Sequence, residues 1–233
     1  MKGTRVPAGT AAGVTPIISI VGKSDSGKTT LIEKLVPELT RRGYVVGTIK
    51  HDAHKFDIDH PGKDSWRHKQ AGAAVTVISS PEKAAIVKNV DRELTLDEIA
   101  VAYMTDVDIV LTEGFKRESK PKIEVLANGD SELISPVNEV FLAAGSTAVD
   151  VGRPKVGRDD ISAVADAIES QFPKIRADAP GGVLLVVDGK PIALNGIMKA
   201  MVSNTIGGLV SSLKGVNNPD KVEVKLWGRR DRG

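Results

Sequence analysis

The sequence predicts an α/β fold in which helices flank a mostly parallel central sheet, and three neighbouring segments carry this prediction. The apolar run Ile17–Val21 has the length of a buried strand, and residues 44–49 form a second apolar run. Between them, Leu31, Leu35 and Leu39 recur at helical spacing. Because a strand, a helix and a strand in this order are typical of a βαβ unit, we expect the two strands to be a parallel pair.

A glycine-rich loop joins the first strand to the first helix and fits the phosphate-binding pattern G-x-x-x-x-G-K-[ST]. Gly22 and Gly27 permit a tight turn whose backbone N–H groups point at phosphate oxygens. Lys28 would reach the β- and γ-phosphates, while the Thr29 hydroxyl would ligate Mg²⁺. We therefore predict the nucleotide site of a P-loop NTPase, formed by Gly22, Lys23, Ser24, Asp25, Ser26, Gly27, Lys28, Thr29 and Thr30.

Other local signals predict the remaining elements of a domain over residues 16–172. Thr95 and Glu98 have the spacing of a capping box, and Asp160 is placed to cap a helix with an apolar stripe. Turn residues 79–82 separate two apolar runs, 74–78 and Ala84–Lys88, which predicts a β-hairpin extension. We expect helices over residues 28–42 with a kink at Pro37, 65–71, 96–104 and 161–172, and strands over 107–112, 122–126 and 139–143.

The apolar strand predicted over residues 107–112 ends in an acid that is a candidate metal ligand. Glu113 is followed by Gly114, an arrangement similar to a Walker B element with Glu in place of Asp. Its carboxylate would bind Mg²⁺ beside Thr29, directly or through water. The alternative is a strand-ending Glu in a turn.

A polar segment, residues 50–64, follows the second strand, at the edge where open α/β sheets place their ligands. The histidines of the chain begin in this segment and span eighteen positions: His51, His54, His60 and His68. Imidazoles among carboxylates also suit zinc or nickel, so a transition-metal site is an alternative interpretation.

Composition narrows the class of protein. A net charge of +2 with 27% charged residues gives no basic field for nucleic acid or an anionic membrane. The absence of cysteine excludes disulfides and thiolate ligands and fits a cytoplasmic location. Residues 1–15 lack the apolar segment of a signal peptide and are expected to be a disordered leader, and no run approaches the length of a membrane-spanning helix.

A different pattern begins after residues 173–182, which have the composition of a linker. Two short apolar runs, a helix after Asn195 and an alternating strand predict a small ββαβ domain over residues 183–228, of unknown role. Gly207 and Gly208 weaken its helix, and the expected reason is that they let helix and sheet approach closely. A groove for a partner is the alternative.

Taken in order, several motifs resemble the MobB family of molybdopterin-guanine dinucleotide biosynthesis proteins. The resemblance covers about residues 17–172. It is carried by the phosphate loop and by Thr48-Ile49-Lys50-His51, Asp57-Ile58-Asp59, Pro61-Gly62-Lys63-Asp64-Ser65, Ala71-Gly72-Ala73 and Glu113-Gly114-Phe115-Lys116.

This resemblance implies a GTP-binding accessory protein with weak GTPase activity. It would assist the guanylyltransferase that attaches GMP to molybdopterin. The phosphate loop and Glu113 would hold GTP and Mg²⁺, with Lys50 and His51 beside the nucleotide. The candidates for orienting the attacking water are Asp52, Asp57, Asp59 and Asp64. No Asn-Lys-x-Asp occurs in the chain, so the expected guanine preference comes from the resemblance.

Two other functions fit parts of the sequence. A small-molecule P-loop kinase would use the polar segment as its acceptor site, with Arg67 and Arg117 as the nearby arginines for a lid. A metallochaperone GTPase would use the histidines as metal ligands.

The expected partners follow from the same features. The resemblance implies a homodimer, and the hairpin at residues 74–88 offers an antiparallel edge for pairing across a two-fold axis. Lys116, Arg117 and Lys120 form a basic cluster after Glu113 that would attract the phosphate of a pterin such as molybdopterin, although a solvated charge cluster is the commoner outcome. The isolated Trp66 and Trp227 provide no stacking platform for nucleic acid.

Overall fold

The computed structural model describes residues 15–51, 59–104, 106–130, 132–145, 150–172, 183, 185–187, 190–192, 194, 196–216, 222 and 224. The helices within these residues are α1 (Lys28–Arg41), α2 (Asp64–Gln70), α3 (Leu96–Tyr103), α4 (Ile161–Gln171) and α5 (Gly196–Ser211). The strands are β1 (Ile17–Val21), β2 (Val46–Lys50), β3 (Val75–Ser79), β4 (Ala84–Lys88), β5 (Ile109–Glu113), β6 (Lys122–Val125), β7 (Val140–Ala144), β8 (Lys155–Val156), β9 (Leu185–Val187) and β10 (Lys190–Ile192). No helix in these ranges is long and apolar enough to cross a membrane.

A six-stranded sheet with the order β2-β5-β1-β6-β7-β8 forms the centre of the fold, and every neighbouring pair in it is parallel. This confirms the predicted α/β architecture with a mostly parallel sheet. The expectation that β1 and β2 pair directly is wrong, because β5 lies between them. The strand β5 suits an interior position because its residues 109–112 are all buried, whereas β2, at the edge, alternates between covered and exposed residues.

Helices cover both faces of this sheet. On one face, α1 and α4 pack through Leu31, Leu35, Leu39, Val164 and Ile168 against inward residues of the strands. On the other face, Leu96 and Ala100 of α3 pack against Ile17, Ile49 and Val110. Successive residues of β1 and β5 belong alternately to the two clusters, as the two-residue period of a strand requires.

The helix α1 continues through Pro37 and is fixed to α4 by Arg42, which follows its last residue. The Arg42 guanidinium donates to Glu38, to Asp166 at 2.6 Å and to Glu169 at 2.7 Å. These contacts hold the two helices that flank the loop after β1 in a fixed relation.

The strands β3 and β4 form a separate antiparallel hairpin, as the sequence predicted. Val77 and Ile86 lie opposite each other in its register and are 59% and 53% exposed. Within the hairpin strands, Thr76 is the buried residue. The hairpin therefore presents an apolar face that the described part of this chain leaves uncovered.

In the C-terminal segment, β9 and β10 pair antiparallel and α5 follows them. The predicted N-cap Asn195 and most of the predicted strand at residues 222–226 lie outside the described residues. The expectation that Gly207 and Gly208 allow helix and sheet to approach stays a prediction, and among the described residues no atom lies within 4 Å of a Cβ at either position. The boundaries of a separate domain at residues 183–228 stay a prediction.

Candidate functional site

The loop between β1 and α1 is a tight turn that only glycine accommodates at its first position. Gly22 has φ 150°, and a Cβ there would lie 2.5 Å from the Val125 carbonyl oxygen and 2.6 Å from Ser26 Oγ. Asp25 and Gly27 also have positive φ angles, of 56° and 95°. Gly27 caps α1 without a side chain, so no capping group covers the N–H groups of the first turn. The backbone is therefore arranged as an anion-binding loop at a helix N-terminus.

Two polar side chains of this loop have the chemistry to receive phosphate oxygens. Ser26 is fully buried, and its hydroxyl has no hydrogen-bond partner among the described residues. Lys28 Nζ donates to the Lys23 carbonyl oxygen at 2.6 Å, within the same loop. A phosphate would give Ser26 a partner and give Lys28 a charged one, so these residues fit a nucleoside triphosphate.

An acid on the neighbouring strand meets the start of α1. Thr29 Oγ1 donates a hydrogen bond of 2.8 Å to Glu113 Oε1. The contact follows from the parallel pairing of β1 with β5, in which Ile20 is opposite Glu113. A hydroxyl and a carboxylate are oxygen ligands of the kind that Mg²⁺ prefers, so this pair fits the predicted metal position.

The residues at the end of β2 contact Glu113 from the neighbouring strand opposite to β1. Lys50 is exposed and opposite Glu113 in the register, and the His51 amide donates to the Glu113 carbonyl oxygen at 2.9 Å. His51 Nε2 lies 2.6 Å from Glu93 Oε1. A Cβ at Gly114, where φ is 98°, would lie 3.0 Å from His51 Cβ, so His51 packs closely against the backbone after Glu113.

On the opposite side, an ion pair that the sequence did not indicate fixes the loop. Lys23 Nζ lies 2.5 Å from Asp130 Oδ1, and the Ala127 amide donates to Asp130 Oδ2 at 2.8 Å. The hydrogen bond from Lys23 and the one from Ala127 lower the pKa of the Asp130 carboxyl. The same partner raises the pKa of Lys23. Both groups therefore stay ionised at neutral pH, and the pair joins the phosphate loop to the loop after β6.

Arg158 is a second residue that sequence reasoning missed. Its Nη1 donates to the Ser26 carbonyl oxygen at 2.9 Å, and it would lie 3.1 Å from a Cβ at Gly27. Arg158 comes from the turn between β8 and α4, 132 residues along the chain from Ser26. No spacing pattern links the two, because only the packing of α4 beside α1 brings that turn to the loop.

The structure describes only some of the predicted acids and histidines of the polar segment. Asp52, Asp57 and His54 lie outside the described residues. Asp59 Oδ1 accepts from Ser65 Oγ at 2.9 Å, next to α2, and Asp64 lies 3.8 Å from Arg67. Across the described ranges, no three His, Asp or Glu side chains converge as metal ligands. The zinc or nickel interpretation therefore finds no support in this part of the chain.

A phosphate loop between β1 and α1, with an acid at the end of the adjacent parallel strand, defines a P-loop nucleotide-binding fold. The sequence model of the MobB family, described as molybdopterin guanine dinucleotide synthesis protein B, matches residues 17–145. The chain belongs to this family.

Named relatives and a solved structure agree with this assignment. The chain is 38% identical over 157 residues to the molybdopterin-guanine dinucleotide biosynthesis adapter protein of Haemophilus influenzae, covering 66% of this chain and 88% of that protein. It is similar in fold to the crystal structure of Bacillus subtilis MobB, with a TM-score of 0.54 and 28% identity over 67% of this chain and 97% of that one.

A third relative extends further along the sequence. The putative adapter protein of Methanocaldococcus jannaschii is 27% identical over 231 residues, covering 90% of this chain and 97% of that protein. The C-terminal segment with α5 thus has a counterpart in that relative, whereas the match to the Haemophilus influenzae protein covers 66% of this chain.

We expect Gly22→Ala to weaken triphosphate binding by roughly 5- to 150-fold. The added Cβ would collide with the backbone of Val125, which cannot move without shifting β6, so the loop must change shape at a cost of about 1–3 kcal/mol. Gly62→Ala is the matched control, since Gly62 also has a positive φ, of 88°, but no atom of the described residues lies within 4 Å of its Cβ position. Calorimetric titration with inorganic triphosphate and Mg²⁺ measures the difference. Equal affinities of the two variants would show that the contact with Val125 does not shape the site.

Proposed function

We propose that this protein binds GTP with Mg²⁺ and acts as an accessory protein in completing the guanine dinucleotide form of the molybdenum cofactor. The observation that carries the proposal is the pairing of Thr29 Oγ1 with Glu113 Oε1 at 2.8 Å, directly beside a loop shaped for phosphate. Membership in the MobB family, whose description names guanine and molybdopterin, supports the pathway and the base.

Within this proposal each site residue has one task. Ser26 and the N–H groups of the first turn of α1 hold phosphate oxygens, and Lys28 exchanges the Lys23 carbonyl for a phosphate. Thr29 and Glu113 hold Mg²⁺, which neutralises charge on the phosphates when it is bound. Lys50 and His51 flank Glu113 at the edge of the sheet. Asp52, Asp57 and Asp59 stay candidates for orienting water, and the expected hydrolysis is slow.

The proposed partners are a molybdopterin guanylyltransferase and molybdopterin itself. The relatives are named adapter proteins, which supports a role in presenting nucleotide to another enzyme. The cysteine-free composition supports a location in the cytoplasm.

The Lys28→Ala variant is expected to lose about 1.5–3 kcal/mol of GTP binding energy, because it removes a charged hydrogen bond to phosphate. Lys34→Ala is the control, since Lys34 lies on the same helix but pairs with Asp159 at 2.6 Å on the surface. Isothermal titration with GTP, and with ATP for comparison, measures both effects. Unchanged GTP affinity in Lys28→Ala would refute the site, and equal affinity of the intact protein for ATP would refute the guanine preference.

The accessory role predicts that the protein raises the yield of guanine dinucleotide in a reaction containing a purified guanylyltransferase, molybdopterin, GTP and Mg²⁺. Lys28→Ala should give no increase, and Lys34→Ala should match the intact protein. The cofactor product is quantified by chromatography. The same yield with and without this protein, at limiting GTP, would contradict an accessory function.

The hairpin of β3 and β4 is the proposed site of homodimer formation. Its exposed apolar side chains and unpaired strand edges suit pairing across a two-fold axis. We expect the doubly substituted Val77→Lys, Ile86→Lys protein to be a monomer by light scattering, and the intact protein to be a dimer. Val45→Lys is the control, since Val45 is 55% exposed but lies before β2. A monomeric intact protein would rule out this interface.

A further inference from the structure

A second cleft is lined by the residues that follow Glu113 directly, at the carboxyl end of β5. Its volume is about 540 Å³. The walls include His51 after β2, residues 93–95 before α3, and the turn of residues 114–118 after β5. This volume lies within the range of small-molecule sites in proteins, roughly 300–1,000 Å³.

An unusual backbone conformation shapes this cleft. Phe115 has φ 51°, in the left-handed region that non-glycine side chains rarely adopt. The conformation places its ring against the ring of His51, with centroids 4.8 Å apart. Left-handed conformations outside glycine cost about 1–3 kcal/mol and are concentrated at functional sites. An aromatic surface is therefore held in the wall of the cleft at an energetic cost.

The charged groups of the cleft are of both signs. Lys116 and Arg117 are exposed, and neither forms an ion pair with any other described residue. Of the two carboxylates in the walls, Glu93 is paired with His51 at 2.6 Å, and Glu118 has no such partner in the described ranges. The cleft thus offers two free cations and one free hydrogen-bond acceptor around an aromatic ring.

This combination selects a ligand class. A bare anion would be attracted by Lys116 and Arg117 but repelled by the Glu118 carboxylate. An apolar ligand would leave the two cations and the carboxylate without partners. A flat heterocycle with N–H groups and a phosphate ester would satisfy the aromatic ring, the acceptor and the cations together. Its ring would pack on Phe115 and its N–H edge would donate to Glu118. Its phosphate would lie between Lys116 and Arg117.

We propose that this cleft binds the phosphate-bearing aminoheterocycle to which the nucleotide is to be joined, a pterin monophosphate. The inference rests on the proposed function and adds a second ligand site to it. The lining begins at Gly114, the residue after Glu113, so the cleft and the proposed metal ligand belong to one continuous stretch of chain. Of the predicted basic cluster, Lys116 and Arg117 line the cleft, whereas Lys120 does not line it and pairs with Asp97 at 2.6 Å.

The test uses the full-length protein with a fluorescent pterin monophosphate and with the same pterin after phosphatase treatment. Binding is measured by fluorescence anisotropy, and GTP affinity is measured in parallel. The intact protein should bind the phosphorylated pterin at least about tenfold more tightly than the dephosphorylated one, because charged hydrogen bonds to phosphate are lost with the ester.

Two variants separate the contributions of charge and ring. The Lys116→Ser, Arg117→Ser protein should bind the phosphorylated pterin about tenfold or more weakly, with the dephosphorylated pterin and GTP unaffected. The Lys34→Ser, Lys214→Ser protein removes the same charge from exposed positions outside both the cleft lining and the hairpin, and it should behave like the intact protein. Phe115→Gly should weaken both pterins. Glycine tolerates the positive φ at this position, and because Phe115 also packs on the core cluster of α3, unchanged GTP affinity is the check that this variant retains its fold.

The outcomes distinguish this inference from the proposed function. Normal GTP binding with no pterin binding would overturn the cleft assignment alone, whereas absence of GTP binding would overturn the proposed function. If the Lys116→Ser, Arg117→Ser protein binds the pterin normally but loses the guanylyltransferase, the cleft is a docking surface for an acidic peptide and the proposal is wrong.

Discussion

The structure depends on the parallel pairing of β1 with β5. In that register Ile20 lies opposite Glu113, so the acid emerges where the phosphate loop begins, and its carboxylate reaches Thr29. A shift of one residue would turn the Glu113 side chain to the other face of the sheet, because strand side chains alternate. The burial of residues 109–112 on both faces resists such a shift, since it would exchange the partners of the two core clusters. The chemistry of the site is thus maintained by the packing of the core beneath it.

The phosphate loop is held in shape by contacts with β6, with the turn before α4 and with the loop after β6. Gly22 lies against the backbone of β6, Arg158 donates to the Ser26 carbonyl, and Lys23 is paired with Asp130. These contacts use the outer side of the loop and leave the first turn of α1 without a capping side chain. A loop ordered by its own fold has less conformational entropy to lose when it binds phosphate, which is the physical basis of preorganisation.

Glu113 also connects the start of α1 with the turn that contains Phe115. Its side chain faces Thr29, while its backbone receives the His51 amide and continues through Gly114 to Phe115. Under the two proposals, nucleotide and acceptor would occupy sites built on one shared stretch of chain. The C-terminal segment, aligned with the Methanocaldococcus jannaschii relative, adds a largely exposed helix to this framework.

The sequence by itself determined the features that short stretches of chain encode: the phosphate loop, the capping box of Thr95 and Glu98, the Asp160 cap and the β3–β4 hairpin. It also indicated Glu113, because an acid after an apolar strand is a local pattern. Tertiary structure alone decided that β5 separates β1 from β2 and that Asp130 and Arg158 hold the loop. The two-residue strand β8 is too short for periodicity to reveal. The reason is physical. Hydrogen bonds between neighbours in sequence follow from residue type and spacing. Contacts between residues 107 or 132 positions apart form only when the whole core folds with a particular strand order.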